Sequence, residues 1–249
     1  RLQPGNCLYV GGIRNTVTHA LEMRGINKRF FGTTVLRDVD IAVDAGEIHA
    51  LVGENGAGKS TLMNILFGMP VIHNTGGFKG QILVNGEQVE IASPGAAMEL
   101  GIGMVHQEFM LMPGFTVTEN IKLNRELSRP NLLSRIVSDK LELLDLPRMG
   151  RDSRQALDKL GVDIDHWLPV AGLPVGYMQF VEIAREIDKS QVKALVFDEP
   201  TAVLTESEAE LFLEAVKKLS EEGLAILFIS HRLAEVVAVA DKITVLRDG

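Results

Sequence analysis

The feature that most constrains the fold is the glycine-rich segment Gly53–Thr61, with the sequence GENGAGKST. It fits the pattern G-x-x-x-x-G-K-[ST] in full. It follows the mostly apolar run Glu47–Val52, which predicts a buried strand, and it opens the segment Ser60–Phe67, whose apolar spacing predicts a helix. A strand, a glycine-rich turn and a helix in this order are typical of a phosphate-binding loop. A chance glycine-rich turn is the weaker alternative.

Each residue type in this loop has a chemical reason. The glycines let the backbone curl so that successive N–H groups point at phosphate oxygens, and the N-terminus of the following helix adds its dipole. Lys59 is suited to neutralise the β- and γ-phosphates, and the Ser60 hydroxyl is a hard oxygen ligand for Mg²⁺. We therefore predict nucleotide binding by the whole loop: Gly53, Glu54, Asn55, Gly56, Ala57, Gly58, Lys59, Ser60 and Thr61.

A second motif lies far downstream, where the apolar run Ala194–Phe197 ends in Asp198 and Glu199. A buried strand of a parallel sheet delivers residues at its C-terminal end to the edge where nucleotides bind. Asp198 is predicted to hold Mg²⁺, and Glu199 to act as the general base that polarises the attacking water. The pair is a weak signal alone and a strong one beside the glycine-rich loop.

Two further polar residues follow predicted strands. Gln107 ends the strand predicted at Ile102–His106 and begins a helical segment, and its amide can touch Mg²⁺ and the attacking water. His231 follows the strand predicted at Leu224–Ser230 and can reach the γ-phosphate. A lone Gln or His is more often structural, but the position of both at strand ends of one sheet favours a functional role.

Composition excludes several classes of protein. The 249 residues permit one large domain or two small ones. The net charge of −8 argues against general nucleic-acid binding. The single Cys7 excludes an internal disulfide framework, and no apolar run reaches the ~18 residues of a membrane helix. The N-terminus lacks the apolar core of a secretory signal, so we expect a cytosolic location.

The order of predicted elements is strand-rich at the start, helical in the middle and alternating at the end, which indicates an α/β fold. Asn85-Gly86 predicts a hairpin within residues 80–92. Residues 119–165 are predicted to be mostly helical, with an apolar run at Leu132–Leu146 that Pro147 interrupts. Residues 1–20 are expected to be a leader, an added extension or an ordered extra strand, and the chain is expected to be a fragment because it stops within a predicted sheet.

These motifs, in this order, resemble the nucleotide-binding domain of ABC transporters over about residues 21–249. Four segments are similar in sequence to the N-terminal cassette of duplicated ATPases of monosaccharide and nucleoside importers. They are Ile102–Met112, Thr116–Ile121, Val181–Ala184 and Pro200–Thr205. The resemblance implies a P-loop NTPase core with an antiparallel β subdomain and an inserted helical subdomain at about 108–185. It also implies a peripheral location on the cytoplasmic face of the cell membrane.

The resemblance further implies an enzyme that uses ATP and Mg²⁺ and couples ATP hydrolysis to solute uptake. Its partners are a second cassette in the same full-length chain, transmembrane permease subunits and, indirectly, a solute-binding protein. Phe30 matches the aromatic residue on which adenine stacks in this family. Its neighbour Phe31 is expected to be structural, although the two roles could be exchanged.

The sequence departs from the family at the signature segment, which binds the γ-phosphate of the nucleotide held by the other cassette. The family form is Leu-Ser-Gly-Gly-Gln, whereas this chain has Leu173, Pro174, Val175, Gly176 and Tyr177. Pro174 has neither a hydroxyl nor an N–H. We therefore expect this degenerate signature to serve a weak or non-hydrolysing site. Thr205 is a smaller departure, because many ABC proteins have Asp there.

Two alternatives remain from the sequence. One is a soluble ABC ATPase that acts on DNA or the ribosome, which the net charge of −8 and the ordinary length of the helical insert oppose. The other is a non-hydrolysing regulatory cassette, which the damaged signature favours and the intact Glu199 opposes.

Overall fold

The computed structural model describes residues 18–130, 142–189 and 191–249. The expected leader up to residue 17, including Cys7, and most of the apolar run at Leu132–Leu146 lie outside the described residues. Just after the first of these gaps, Ala20 is buried and its carbonyl accepts a hydrogen bond from the Asn85 amide at 3.1 Å. The boundary between residues 20 and 21 stays a prediction.

The first half of the described chain builds an antiparallel sheet of four strands in the order β2-β1-β4-β5. Its strands are β1 (Leu21–Phe30), β2 (Thr33–Val43), β4 (Lys79–Val84) and β5 (Glu87–Val89). Asn85 and Gly86 both have positive φ, 51° and 79°, as a two-residue hairpin turn requires. The predicted hairpin is confirmed.

A parallel sheet of five strands in the order β11-β3-β10-β9-β6 forms the centre of the fold. Its strands are β3 (Ile48–Val52), β6 (Ile102–Val105), β9 (Ala194–Asp198), β10 (Ala225–Ile229) and β11 (Lys242–Val245). All four pairings are parallel, so the C-terminal ends of these strands meet at one edge. That edge carries every strand-end residue selected from the sequence.

The helices that lie around these sheets include the one predicted at Ser60–Phe67, which is present within one residue of its expected bounds. They are α1 (Lys59–Leu66), α2 (Pro70–Asn74), α3 (Pro94–Glu99), α4 (Val117–Ile121), α5 (Leu146–Leu160), α6 (Val175–Ile187), α7 (Glu206–Glu221) and α8 (Leu233–Val239). No helix in the described ranges is long and apolar enough to span a bilayer.

Four of the parallel strands, β3, β6, β9 and β10, are mostly buried and divide the apolar core into two clusters, whereas the edge strand β11 is mostly exposed. On one side, Leu51 and Val196 pack with β1, β2 and α1. On the other, Phe197 packs with α6 and α7, and its ring meets that of Phe212 edge-on at 5.5 Å. Because successive strand residues face opposite sides, one short apolar strand serves both clusters.

The structure corrects the prediction for residues 119–165 in two places. Pro147 does not interrupt a helix but stands in the first turn of α5, after Asp145, whose carboxylate accepts the Arg148 amide at 3.2 Å. Proline is tolerated there because the amides of a first turn have no partner within the helix. A short antiparallel pair, β7 (Ser128–Arg129) with β8 (Leu143–Leu144), also stands where helix was predicted.

Candidate functional site

The glycine-rich loop connects β3 to α1, as its sequence predicts. Gly58, the residue before α1, has φ 111°, and a Cβ there would lie 2.7 Å from Cδ2 of Leu36. Gly53 approaches the chain after β11 so closely that a Cβ would lie 2.4 Å from the carbonyl oxygen of Leu246. Only glycine satisfies the left-handed backbone at the first position and the close approach at the second.

The Lys59 side chain folds back over the loop. Its Nζ donates to the carbonyl oxygens of Gly53 at 2.7 Å and Glu54 at 3.2 Å. The side chain is 8% exposed. The loop therefore holds a largely buried ammonium group next to the start of α1, where backbone N–H groups lack partners within the helix. This combination of charge and free donors favours an anion.

Ser60 and Asp198 line one cavity of about 480 Å³ at the sheet edge. Burial raises the pKa of the Asp198 carboxyl, and the neighbouring charge of Glu199 raises it further, while His106 and Lys59 oppose both effects. A bound cation would favour the ionised carboxylate. A hydroxyl and a carboxylate are the hard oxygen donors that Mg²⁺ prefers, so the residues present fit this ion.

Glu199 and His231 come together from adjacent strand ends. Nδ1 of His231 lies 3.2 Å from Oε1 of Glu199. Glu199 has φ 48°, an uncommon left-handed conformation for a residue with a side chain, and its amide donates to the Ile229 carbonyl at 2.9 Å. That hydrogen bond joins the end of β9 to the end of β10, beside the contact between the carboxylate and the histidine.

Gln107 is less closely associated with this group. Its side chain is exposed, and the cavity at Asp198 is lined by its neighbour His106. Gln107 also does not begin a helix, because a loop continues to Thr116 before α4. Burial lowers the pKa of His106, against the charges of Asp198 and Glu186. Sequence reasoning did not select His106, although it stands at the same strand end.

The two phenylalanines at the end of β1 differ in burial, and the exposed one is Phe31, which was expected to be structural. Phe31, expected to be structural, is 96% exposed and has φ 46°. Phe30 is half-buried and packs against the core cluster of the antiparallel sheet, and Nζ of Lys28 lies 4.6 Å from its ring centroid. Phe31 is therefore not a packed residue, whereas Phe30 packs against the core and contacts Lys28.

The degenerate signature lies away from the glycine-rich loop. Leu173 and Pro174 precede α6, and Val175 and Tyr177 in its first turn are exposed. The cavity at Gly176 and Tyr177 shares no residue with the cavity at Ser60. The Gly176 amide donates to Oε1 of Glu208 at 3.3 Å. This segment is thus available to another protein surface.

Comparison with known proteins identifies the family. The sequence matches the ABC transporter family over residues 36–202, more than half of the chain. The chain belongs to the ABC transporter family. Its fold agrees with this: a nucleotide-free ATP-binding cassette from an ABC transporter superposes with a TM-score of 0.75 at 25% identity, covering 93% of this chain and 88% of that one. A second such cassette, in its ADP conformation, gives the same values.

Curated relatives are more similar in sequence. A ribose import ATP-binding protein of Chelativorans sp. (strain BNC1) is 42% identical over 233 residues, which is 94% of this chain and 42% of that protein. A glucose import ATP-binding protein of Haloferax volcanii is 42% identical over 248 residues, which is 92% of this chain and 44% of that protein. The chain spans less than half the length of these relatives.

Proposed function

We propose that this cassette binds MgATP and hydrolyses it at its own glycine-rich loop, as part of an importer for a monosaccharide. The observation that carries the proposal is the pair of Glu199 and His231, 3.2 Å apart at the sheet edge that also holds Lys59 and Asp198. A cassette that only bound nucleotide would not need an acid–base pair there.

Binding requires neutralisation of the triphosphate charge. Lys59 would exchange its bonds to the Gly53 and Glu54 carbonyls for the β- and γ-phosphates, and the first amides of α1 would donate to phosphate oxygens. Asp198, Ser60 and Gln107 would hold Mg²⁺. The ion, when bound, neutralises charge on the β- and γ-phosphates. Phe30 would stack on the adenine, because a ring already held by the core and Lys28 loses little freedom on binding.

Hydrolysis then needs a base and a group that senses the γ-phosphate. The Glu199 carboxylate would accept a proton from the attacking water. His231, 58% exposed at its side chain, would keep Glu199 oriented through Nδ1 and face the γ-phosphate with its other nitrogen. In this proposal, the left-handed backbone of Glu199 serves to place its carboxylate beside His231.

A second cassette would complete the site from across an interface. The exposed residues around Gly176 support such a partner, and the degenerate segment Leu173–Tyr177 would serve the partner's nucleotide weakly. The length of the relatives, more than twice that of this chain, supports a tandem partner in one full-length protein.

The transported solute is inferred from the relatives. Their names describe ribose and glucose import, which favours a monosaccharide over a nucleoside. Permease subunits would contact the cavity that Ser60 and Asp198 also line. Its wall includes Met98, Met104 and Met110. Methionine side chains adapt to a partner surface. A solute-binding protein would act through that permease, and the cassette would lie on the cytoplasmic face of the membrane.

Two other functions agree less well with these observations. Nucleic-acid or ribosome binding is opposed by the net charge of −8. A non-hydrolysing regulatory role is favoured by the signature but leaves the pairing of Glu199 with His231 without a use.

MgATP binding by this chain gives the first test. Lys59→Ala should raise the Kd for MgATP about 10- to 100-fold, because it removes a charged donor to phosphate. Lys79→Ala, at an exposed lysine on β4, is the matched control and should bind like the wild type. Unchanged affinity in Lys59→Ala, measured with a fluorescent ATP analogue, would remove the nucleotide assignment from this loop.

A further inference from the structure

Side chains of α6 hold the backbone of one residue, Met110, in the loop that follows Gln107. Both hydrogen-bonding groups of the Met110 backbone are taken by side chains of that helix. The Met110 amide donates to Oε1 of Glu182 at 2.6 Å, and the Met110 carbonyl accepts from Nη1 of Arg185 at 3.0 Å. Met110 is 55% exposed, so this residue is held by its backbone hydrogen bonds, whereas the next residue, Leu111, is buried in the core cluster that includes α6.

Glu182 and Arg185, which together form a clamp on the Met110 backbone, are also hydrogen-bonded to each other. Nη2 of Arg185 donates to Oε2 of Glu182 at 2.5 Å, one turn apart on α6. Glu182 is only 2% exposed. Burial raises the pKa of its carboxyl, while Arg185 and the Met110 amide act in the opposite direction. A buried acid with all its partners on one loop and one helix specifies their relative position closely.

The same arginine extends the connection. Its backbone carbonyl accepts a hydrogen bond from Nη2 of Arg125 at 3.1 Å, and Nη1 of Arg125 pairs with Asp188 at 2.8 Å. Arg125 follows α4, so the clamp joins the loop, α6 and the segment after α4. The N-terminal turn of α6 carries Gly176 of the signature segment, less than two turns before Glu182.

We propose that Glu182 and Arg185 are positioning residues that make the Gln107 loop and the signature helix α6 move as one unit. A displacement of the loop by nucleotide at Gln107, or by a membrane partner at Met110, would be passed to Gly176 through the Met110 backbone and the two side chains bonded to it. The proposal rests on the proposed function for its purpose, while the clamp itself is a property of the structure.

Side-chain truncation separates positioning from folding. Glu182→Ala removes the acceptor for the Met110 amide, whereas Glu182→Gln keeps an oxygen at the same place. In the full-length protein with its permease, Glu182→Ala should lower kcat for ATP about 10- to 100-fold with the Kd for MgATP nearly unchanged. Glu182→Gln should recover most of kcat, and Glu210→Ala, at an exposed position on α7, should match the wild type.

Hydrogen exchange tests the clamp without hydrolysis. Residues 107–112 should lose protection in Glu182→Ala while α6 keeps it. A non-hydrolysable ATP analogue should change exchange in both segments of the wild type but only in the loop of the variant. If the analogue changes nothing in the wild type, the proposal that this cassette binds nucleotide fails. The comparison of wild type with Glu182→Ala in the absence of nucleotide still tests the clamp. Unaltered protection of residues 107–112, or equal kcat in wild type and Glu182→Ala, would overturn the proposal.

Discussion

Nδ1 of His231 lies 3.2 Å from Oε1 of Glu199, although the two residues follow different strands of the parallel sheet. The contact forms because β9 and β10 are adjacent and parallel, with Asp198 paired in register with Ile229. Glu199 lies one residue beyond this register pair on β9 and His231 two residues beyond it on β10, so both side chains leave the sheet at the same edge. An acid and an imidazole within hydrogen-bonding distance form a unit that can orient water and share a proton.

Removal of the imidazole should affect turnover more than binding. In the full-length protein, His231→Ala should lower the single-turnover rate of ATP hydrolysis ~100-fold or more, because Glu199 loses the group that orients it. The Kd for MgATP should change little, since Lys59 and the loop amides are intact. His73→Ala, at an exposed histidine on α2, is the control. A normal hydrolysis rate in His231→Ala would show that the pair has no catalytic part.

The two phenylalanines should differ in their effect on nucleotide affinity. Phe30→Leu keeps apolar volume but removes the aromatic face, and it should raise the Kd for ATP about 5- to 100-fold, the range for loss of one base–aromatic stack. Phe30→Trp should keep the affinity, and Phe31→Leu should leave it unchanged because the stacking is assigned to Phe30. A larger loss in Phe31→Leu than in Phe30→Leu would assign the stacking to Phe31. Fluorescence titration with ATP and with inorganic triphosphate separates stacking from phosphate binding.

Acid should weaken the polar cluster of Asp44, His19 and Lys242, which lies near the starts of β3 and β11. The Asp44 carboxylate accepts from Nδ1 of His19 at 2.5 Å, and this bond, with help from Lys242, lowers the pKa of Asp44 to about 2. A pKa that is lower in the folded than in the unfolded chain stabilises the fold above the ordinary value of 3.8. This stabilisation is lost as the pH falls towards about 2.

Asp44→Asn should therefore lower the free energy of unfolding at neutral pH by about 0.5–1 kcal/mol, a modest figure because the pair is partly exposed. The difference between wild type and variant should shrink as the pH falls from about 4 to about 2. Urea unfolding at several pH values measures it. A difference that stays constant over that interval would mean that the carboxylate charge is not the cause.

Much of the fold was predictable because its signals are local. Asn85-Gly86 specifies a hairpin through backbone dihedrals, and Gly53–Thr61 specifies a strand, a loop and a helix within a few residues. The strand ends at Asp198 and His231 followed from short apolar runs, and their meeting followed from the rule that parallel strands end at one edge. None of these inferences needed a contact between distant residues.

The remaining features depend on distant contacts that periodicity does not record. The strand pair of Ser128–Arg129 with Leu143–Leu144 is defined by its partner and not by its own sequence. Phe30 and Phe31 are the same residue type, and only the turn decides which one the core receives. The clamp on Met110 joins residues more than seventy positions apart. Pro147 was misinterpreted because a proline that ends one segment and a proline that begins the next have the same sequence signature.

The central claim is that this cassette hydrolyses ATP with Glu199 as its base, and Glu199→Gln in the full-length protein tests it most directly. The amide keeps the size of the side chain and its contact with His231 but cannot accept a proton. Single-turnover hydrolysis should fall about 10²- to 10⁴-fold, while MgATP still binds with wild-type affinity. Hydrolysis at the wild-type rate in Glu199→Gln would contradict the account.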